Sequence, residues 1–200
     1  KTDILAFSLI ILLSRALYPI LFIILLSACE LRMAPTEYWS KLFRTQTDSS
    51  YYQGKSENLA TQIAKDIEEY EINQITVMDF VDEGNRTSIL GEYLSSRVVE
   101  AFTDRSLLQD RIFHVTQKGE VNEILQQLNL QHNYLYAKND LEALGKSLNS
   151  EAILTGKITD LGTNIDMHLT LTDVVTGEVI SSATQHLTRT KFAVEMLRQH

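Results

Sequence analysis

The only cysteine of the chain, Cys29, closes an apolar run and directly follows Leu26-Ser27-Ala28. It is the one thiol that the sequence offers as a nucleophile. Small Ser27 and Ala28 leave room for a peptidase, Ala16 to Ala28 has the length of a signal h-region, and Arg15 supplies its positive flank. Other chemistry-bearing residues fall short of a site. Gly145-Lys146-Ser147 ends like a phosphate-binding loop, yet Asp140 stands where that loop needs its first glycine and would set a carboxylate against phosphate. The tripeptide also lies inside a helical pattern, which makes Lys146 and Ser147 its solvated face. The histidines, His114, His132, His168, His186 and His200, show no metal-ligand spacing. His168 and His186 would face each other across the last hairpin if its loop had three residues, and a polar cross-strand pair is then the expected result. Asp79 ends an apolar run and is expected to cap the loop beside it. No Gly-x-Ser-x-Gly elbow is present, and no thiol is left once Cys29 is acylated. The sequence therefore points to no catalytic set, no cofactor, no metal and no small-molecule substrate.

Leu26-Ser27-Ala28-Cys29 resembles the lipobox of bacterial lipoproteins, which implies that Cys29 carries lipid, palmitate included, and becomes the first residue of the mature chain. A retained transmembrane anchor is the alternative, since Ile4 to Ala28 could cross roughly 30 Å of hydrocarbon. Arg15 would then sit near mid-span at about 2.5 to 3.5 kcal/mol, so a division into flank and h-region is the cheaper account. The first methionine is Met33, and a start there would leave an unanchored cytosolic protein. The expected organisation is a signal peptide over 1–28, a lipidated tether over 29–56 and one domain over 57–200. Glu30 to Ser56 has no sustained period and carries Tyr38, Trp39, Phe43, Tyr51 and Tyr52, aromatics that would dock on the domain or lie at lipid headgroups. As coil it would span roughly 30 Å. The net charge of −8 repels phosphate backbones, which makes nucleic acid a poor partner. Glu30 follows the cysteine where aspartate usually causes inner-membrane retention, so the outer membrane is the expected destination.

Elements can be read from periodicity. Leu59, Ala60, Ile63, Ala64, Ile67 and Tyr70 recur at three and four, predicting an amphipathic helix from Glu57 to Tyr70. Ile75 to Phe80 reads as a buried strand, and Asp82-Glu83-Gly84-Asn85 breaks it. A second helix starts near Thr87 or Ser88, either able to cap, and ends at Phe102. Ile112 to Val115 is a short strand, giving a right-handed crossover if parallel to the first. A third helix occupies Glu120 to Leu130. Asn139-Asp140-Leu141-Glu142 reads as a capping box before Leu144 and Leu148. Ala152 to Gly156 is apolar on both faces, as a central strand should be. Ile165 to Thr172 alternates, Asp173 to Gly177 turns the chain with Gly177 supplying a positive φ, and Val179 to Leu187 returns antiparallel. Phe192 to Leu197 forms a last turn or two of helix. The fold class is α/β, a mixed parallel and antiparallel sheet with helices packed on it and a C-terminal antiparallel hairpin.

Leu144 to Leu148, Glu151 to Thr159, and Leu169 to Val179 with Asp173, Thr176, Gly177 and Glu178 resemble the curli-secretion CsgG-like family. They are also similar to the flagellar outer-membrane FlgO-like proteins and to the LpoB-type activators of peptidoglycan synthases; the likeness runs over roughly residues 57 to 188. The resemblance implies a periplasmic α/β domain lipid-anchored to the outer membrane of a Gram-negative bacterium, acting by contacts with envelope proteins or further copies of itself. It implies a binding module and not an enzyme, serving assembly or stability of a curli-type or flagellar structure. An LpoB-type synthase activator is the alternative within that class, and an enzyme with an unrecognised site is the alternative outside it. The loops at 81–86, 103–111 and 131–138 leave no room for membrane hairpins, so pore formation by this chain alone is not expected.

Overall fold

The helix over Asp48–Glu69, α1, carries the apolar stripe that starts the domain, and it begins earlier than the periodicity of residues 57–70 suggests. The structure, a computed structural model, describes residues 48–104 and 113–200. The expected signal peptide, Cys29, Tyr38, Trp39 and Phe43 all lie outside the described residues. Within them α1 runs Asp48–Glu69, so Tyr51 and Tyr52 belong to a helix and not to a coil. Tyr52 extends the stripe one turn backward and is fully buried with Leu59, Ile63 and Ile67. Its hydroxyl donates to the Thr188 carbonyl at 3.2 Å, and the Tyr51 hydroxyl accepts the Thr188 N–H at 2.8 Å. Ser181 donates to the Asp66 carboxylate farther along the same helix.

The remaining elements are β1 (Gln74–Val77), α2 (Ile89–Thr103), β2 (His114–Val115), α3 (Lys118–Gln127), α4 (Lys138–Leu148), β3 (Ala152–Asp160), β4 (Asn164–Asp173), β5 (Val179–Thr188) and α5 (Lys191–Arg198). The five strands form one mixed sheet in the order β2-β1-β3-β4-β5. β1 runs parallel to β2 and β3, while β3-β4 and β4-β5 are antiparallel. One face packs on α1, α2 and α5 through Ile75, Val77, Phe80, Leu154, Leu169 and Leu187. The other packs on α3 and α4 through Met78, Ile153 and Val174. Adjacent Ile153 and Leu154 therefore serve opposite layers, which is why β3 is apolar on both sides.

Local chemistry sets the boundaries. Ser88 caps α2 by accepting the Gly91 N–H, one of the two caps named from sequence, and Thr190 caps α5 in the same way. The capping box expected at Asn139 does not form. Ala137 is the N-cap of α4 without a side-chain bond, because the helix begins at Lys138 and draws Asn139 into its first turn. β1 is shorter than the Ile75–Phe80 run: Met78 still donates to Leu154 and Val81 to Gly156, but the Asp79 amide leaves the ladder for a side chain. His168 and His186 do not face each other. The loop spans 174–178, longer than that pairing needs, and a bulge falls at Leu171/Thr172, so His168 opposes Thr184 and His186 opposes Asp166.

Candidate functional site

Asp79 sits just past the carboxyl end of β1, where the chain bends from the sheet toward α2. In open α/β sheets that end is where polar groups gather, because strands stop there and loops diverge. Its side chain is buried, and three other elements send groups to it. Ser95 of α2 donates its hydroxyl to Oδ1 at 2.7 Å, and Lys118, at the start of α3, places Nζ 2.9 Å from the same oxygen. His132, from the segment between α3 and α4, accepts the Asp79 N–H on Nδ1 at 3.2 Å and holds Nε2 3.5 Å from Oδ2. Glu92 of α2 approaches Lys118 at 3.6 Å. A carboxylate out of water needs such a shell, and here one residue ties β1, α2, α3 and the 128–137 segment together.

The Asp79 amide fixes the His132 tautomer. Nδ1 must accept, so the neutral ring carries its proton on Nε2, which donates to the Asn122 Oδ1 at 3.2 Å. Burial pushes this imidazole below the ordinary histidine range; the Asp79 carboxylate opposes that and Lys118 adds to it. The ring lines an open cavity of about 400 Å³ together with Arg86, Asn122, Gln126 and Gln131.

Sequence reading assigned Asp79 to loop capping, and the structure gives that task to Asp82. Its carboxylate accepts the Gly84 and Arg86 amides and pairs with the Arg86 guanidinium at 2.7 Å. Lys118, Ser95 and His132 were not singled out as partners, since no spacing links residues so far apart in sequence. Gly145-Lys146-Ser147 lies inside α4, with no loop to enclose a phosphate. Lys146 instead lines a cavity of about 780 Å³ at the amino ends of β1 and β3. Among the described residues no group of three or more His, Cys, Asp or Glu is arranged to hold a metal, and no helix is long and apolar enough to cross a membrane.

Asp173 and Gly177 form the β4-β5 turn. The Asp173 carboxylate accepts the Val175 and Thr176 amides at 2.9 and 2.7 Å, and Gly177 takes φ +74° while its N–H returns to the Asp173 carbonyl. Beyond the turn β5 is, among the described residues, an outer strand paired with β4 alone. Residues after Phe192 do not run along it; they form α5 beside α2, where Gln199 accepts the Ile89 N–H. The Thr188 end of the edge is closed by Tyr51 and Tyr52, while Ser182 and Thr184 are exposed.

No protein-family model and no curated protein matches this chain. Among solved structures it is similar to the LpoB C-terminal domain from Salmonella enterica, with 14% identity over 69% of this chain and 98% of that one, at a TM-score of 0.50. The LpoB C-terminal domain from Escherichia coli aligns at 12% identity over 67% and 98%, with a TM-score of 0.51. The NMR structure of E. coli LpoB aligns at 13% over 70% and 68%, with a TM-score of 0.52. The resemblance to curli-secretion and flagellar proteins gains no support from these matches. At such identities the likeness is one of architecture: the described residues have the fold of the LpoB C-terminal domain.

Proposed function

We propose that this chain is a lipid-anchored envelope protein that works by binding another protein, and that its partner is a peptidoglycan synthase, as in the LpoB-type alternative read from the sequence. The observation that carries this reading is the fold likeness to LpoB C-terminal domains, with nearly all of each of the two isolated domains covered. It favours the synthase reading over the curli or flagellar one. The lipobox-like Leu26 to Cys29 supports tethering, and Glu30 supports the outer membrane as the destination. In this reading the buried Asp79 cluster serves to hold helices and strand in one arrangement, not to turn over a substrate.

The test is reconstitution of the full, lipidated chain in detergent with a purified bifunctional peptidoglycan synthase. Glycan polymerisation should rise several-fold and saturate with the chain. An unchanged rate, together with no co-elution, would return the choice of partner to the appendage machineries.

A further inference from the structure

The segment between α3 and α4 is a strap. Asn129 takes φ +54° as α3 ends, and the chain then crosses to the β4 face and returns to α4. It is braced within itself: the Tyr136 hydroxyl accepts the Asn133 N–H at 3.0 Å and donates to the Gln131 carbonyl at 2.9 Å. It touches the sheet through Tyr134, whose hydroxyl bonds the Thr170 hydroxyl at 2.8 Å and whose ring meets His168 edge-on at 5.9 Å. Thr170 is buried, although it stands on the otherwise open face of the β4-β5 half. At its start the strap is fastened to β1 through the His132 ring.

We propose that His132 is a proton-operated latch: protonation of Nδ1 detaches the strap from β1 and bares the Thr170 and His168 positions of β4. The reason is donor counting. Nδ1 accepts the Asp79 N–H, so a proton arriving there from water replaces an acceptor with a second donor facing the first, and the bond is lost. The surroundings compensate only in part. From β1, Asp79 attracts a charged ring through Oδ2, 3.5 Å from Nε2, while its Oδ1 takes Ser95 and Lys118. From α3, Lys118 repels it; from α2, Glu92 attracts it and also faces Lys118. From the loop after β1, Arg86 lines the cavity beside the ring and is paired with Asp82. Burial of the ring is the largest influence and favours its neutral form against these attractions. In the released strap the ring is free to be hydrated. Each unit by which the closed state holds it below its free value makes opening about ten-fold easier at low pH.

The experiment is amide hydrogen exchange, read by NMR on the full chain in detergent micelles at about pH 7.5 and about pH 5, corrected for intrinsic exchange. Asp79 and Asn133 amides should lose protection at the lower pH, while Leu154 and Ile158 in β3 keep theirs. His132→Gln, which retains an acceptor but cannot take up a proton, should abolish the difference. Ring nitrogen shifts of the wild type should show an unprotonated Nδ1 at the higher pH. Unchanged protection of Asp79 and Asn133, parallel loss throughout β3, or a pH response persisting in His132→Gln would each overturn the latch. So would an Nδ1 already protonated at the higher pH, a readout needing no variant.

Discussion

Asp79 and its neighbours set the residue-scale energetics, because a buried carboxylate is stable only while its bonds are made. Asp79→Ala removes the acceptor for Ser95 and the counter-charge of Lys118 together. It should cost about 1.5 to 3 kcal/mol, the range for hydrogen bonds to a charged group, read as a lower midpoint in urea. His132 gives a pH dependence of fixed sign. Its folded value is depressed below 6.5, so the unfolded chain binds the proton more readily. Stability should therefore be complete above that value and decline as pH falls below it, a slope that His132→Gln should flatten in thermal melts. Asp160 acts at lower pH. Hydrogen bonds from Arg189 hold its carboxyl below 3.8, against a smaller effect of burial, so its contribution is present above that value and lost beneath it. Arg189→Gln should move acid unfolding to higher pH. Of these residues only Asp79 and His132 stand out in the sequence, and nothing there pairs them. Ser95 lies 16 positions away and His132 lies 53 away, and no local pattern joins them.

Elements were far more legible, because periodicity and turn chemistry are local. The stripe Leu59 to Ile67, the alternation Ile165 to Leu171 and the cap at Ser88 need nothing from the rest of the chain. What periodicity missed was decided by tertiary contacts: α1 gains its first turns because Tyr52 is buried against Thr188, and β1 ends early because His132 takes the Asp79 amide. One packing constraint is visible only in three dimensions. Phe80 is fully buried, and a Cβ on Gly91 would come within 2.0 Å of its carbonyl oxygen, while one on Gly156 would come within 2.3 Å of its ring. Gly91→Ala would push α2 away from the end of β1 and should destabilise by at least about 2 kcal/mol in denaturant melts, since backbone cannot yield as a side chain does. Gly177→Val forces a β-branched residue to φ +74° in the β4-β5 turn. A loss of about 1 to 2 kcal/mol is expected in the same measurement.

For the whole molecule, the order of strands and helices followed from sequence because each connection is short and each face of the sheet has its own apolar set. The partner did not, because nothing in the chain's periodicity encodes it, and a synthase partner is our proposal from the fold likeness to LpoB C-terminal domains. The proposed anchoring rests on Cys29, and an intact-mass measurement of the mature chain should show acylation that Cys29→Ala abolishes. Several buried acyl chains make such an anchor effectively permanent, at about 0.8 kcal/mol per methylene, so the variant should leave the membrane fraction or remain uncleaved. The central claim is that this tethered domain binds a peptidoglycan synthase, and in-cell crosslinking of the full chain followed by mass spectrometry tests it most directly. The account predicts a synthase enriched with the wild-type chain and depleted with Cys29→Ala; enrichment of appendage-secretion proteins without a synthase, or of no envelope protein at all, would contradict it.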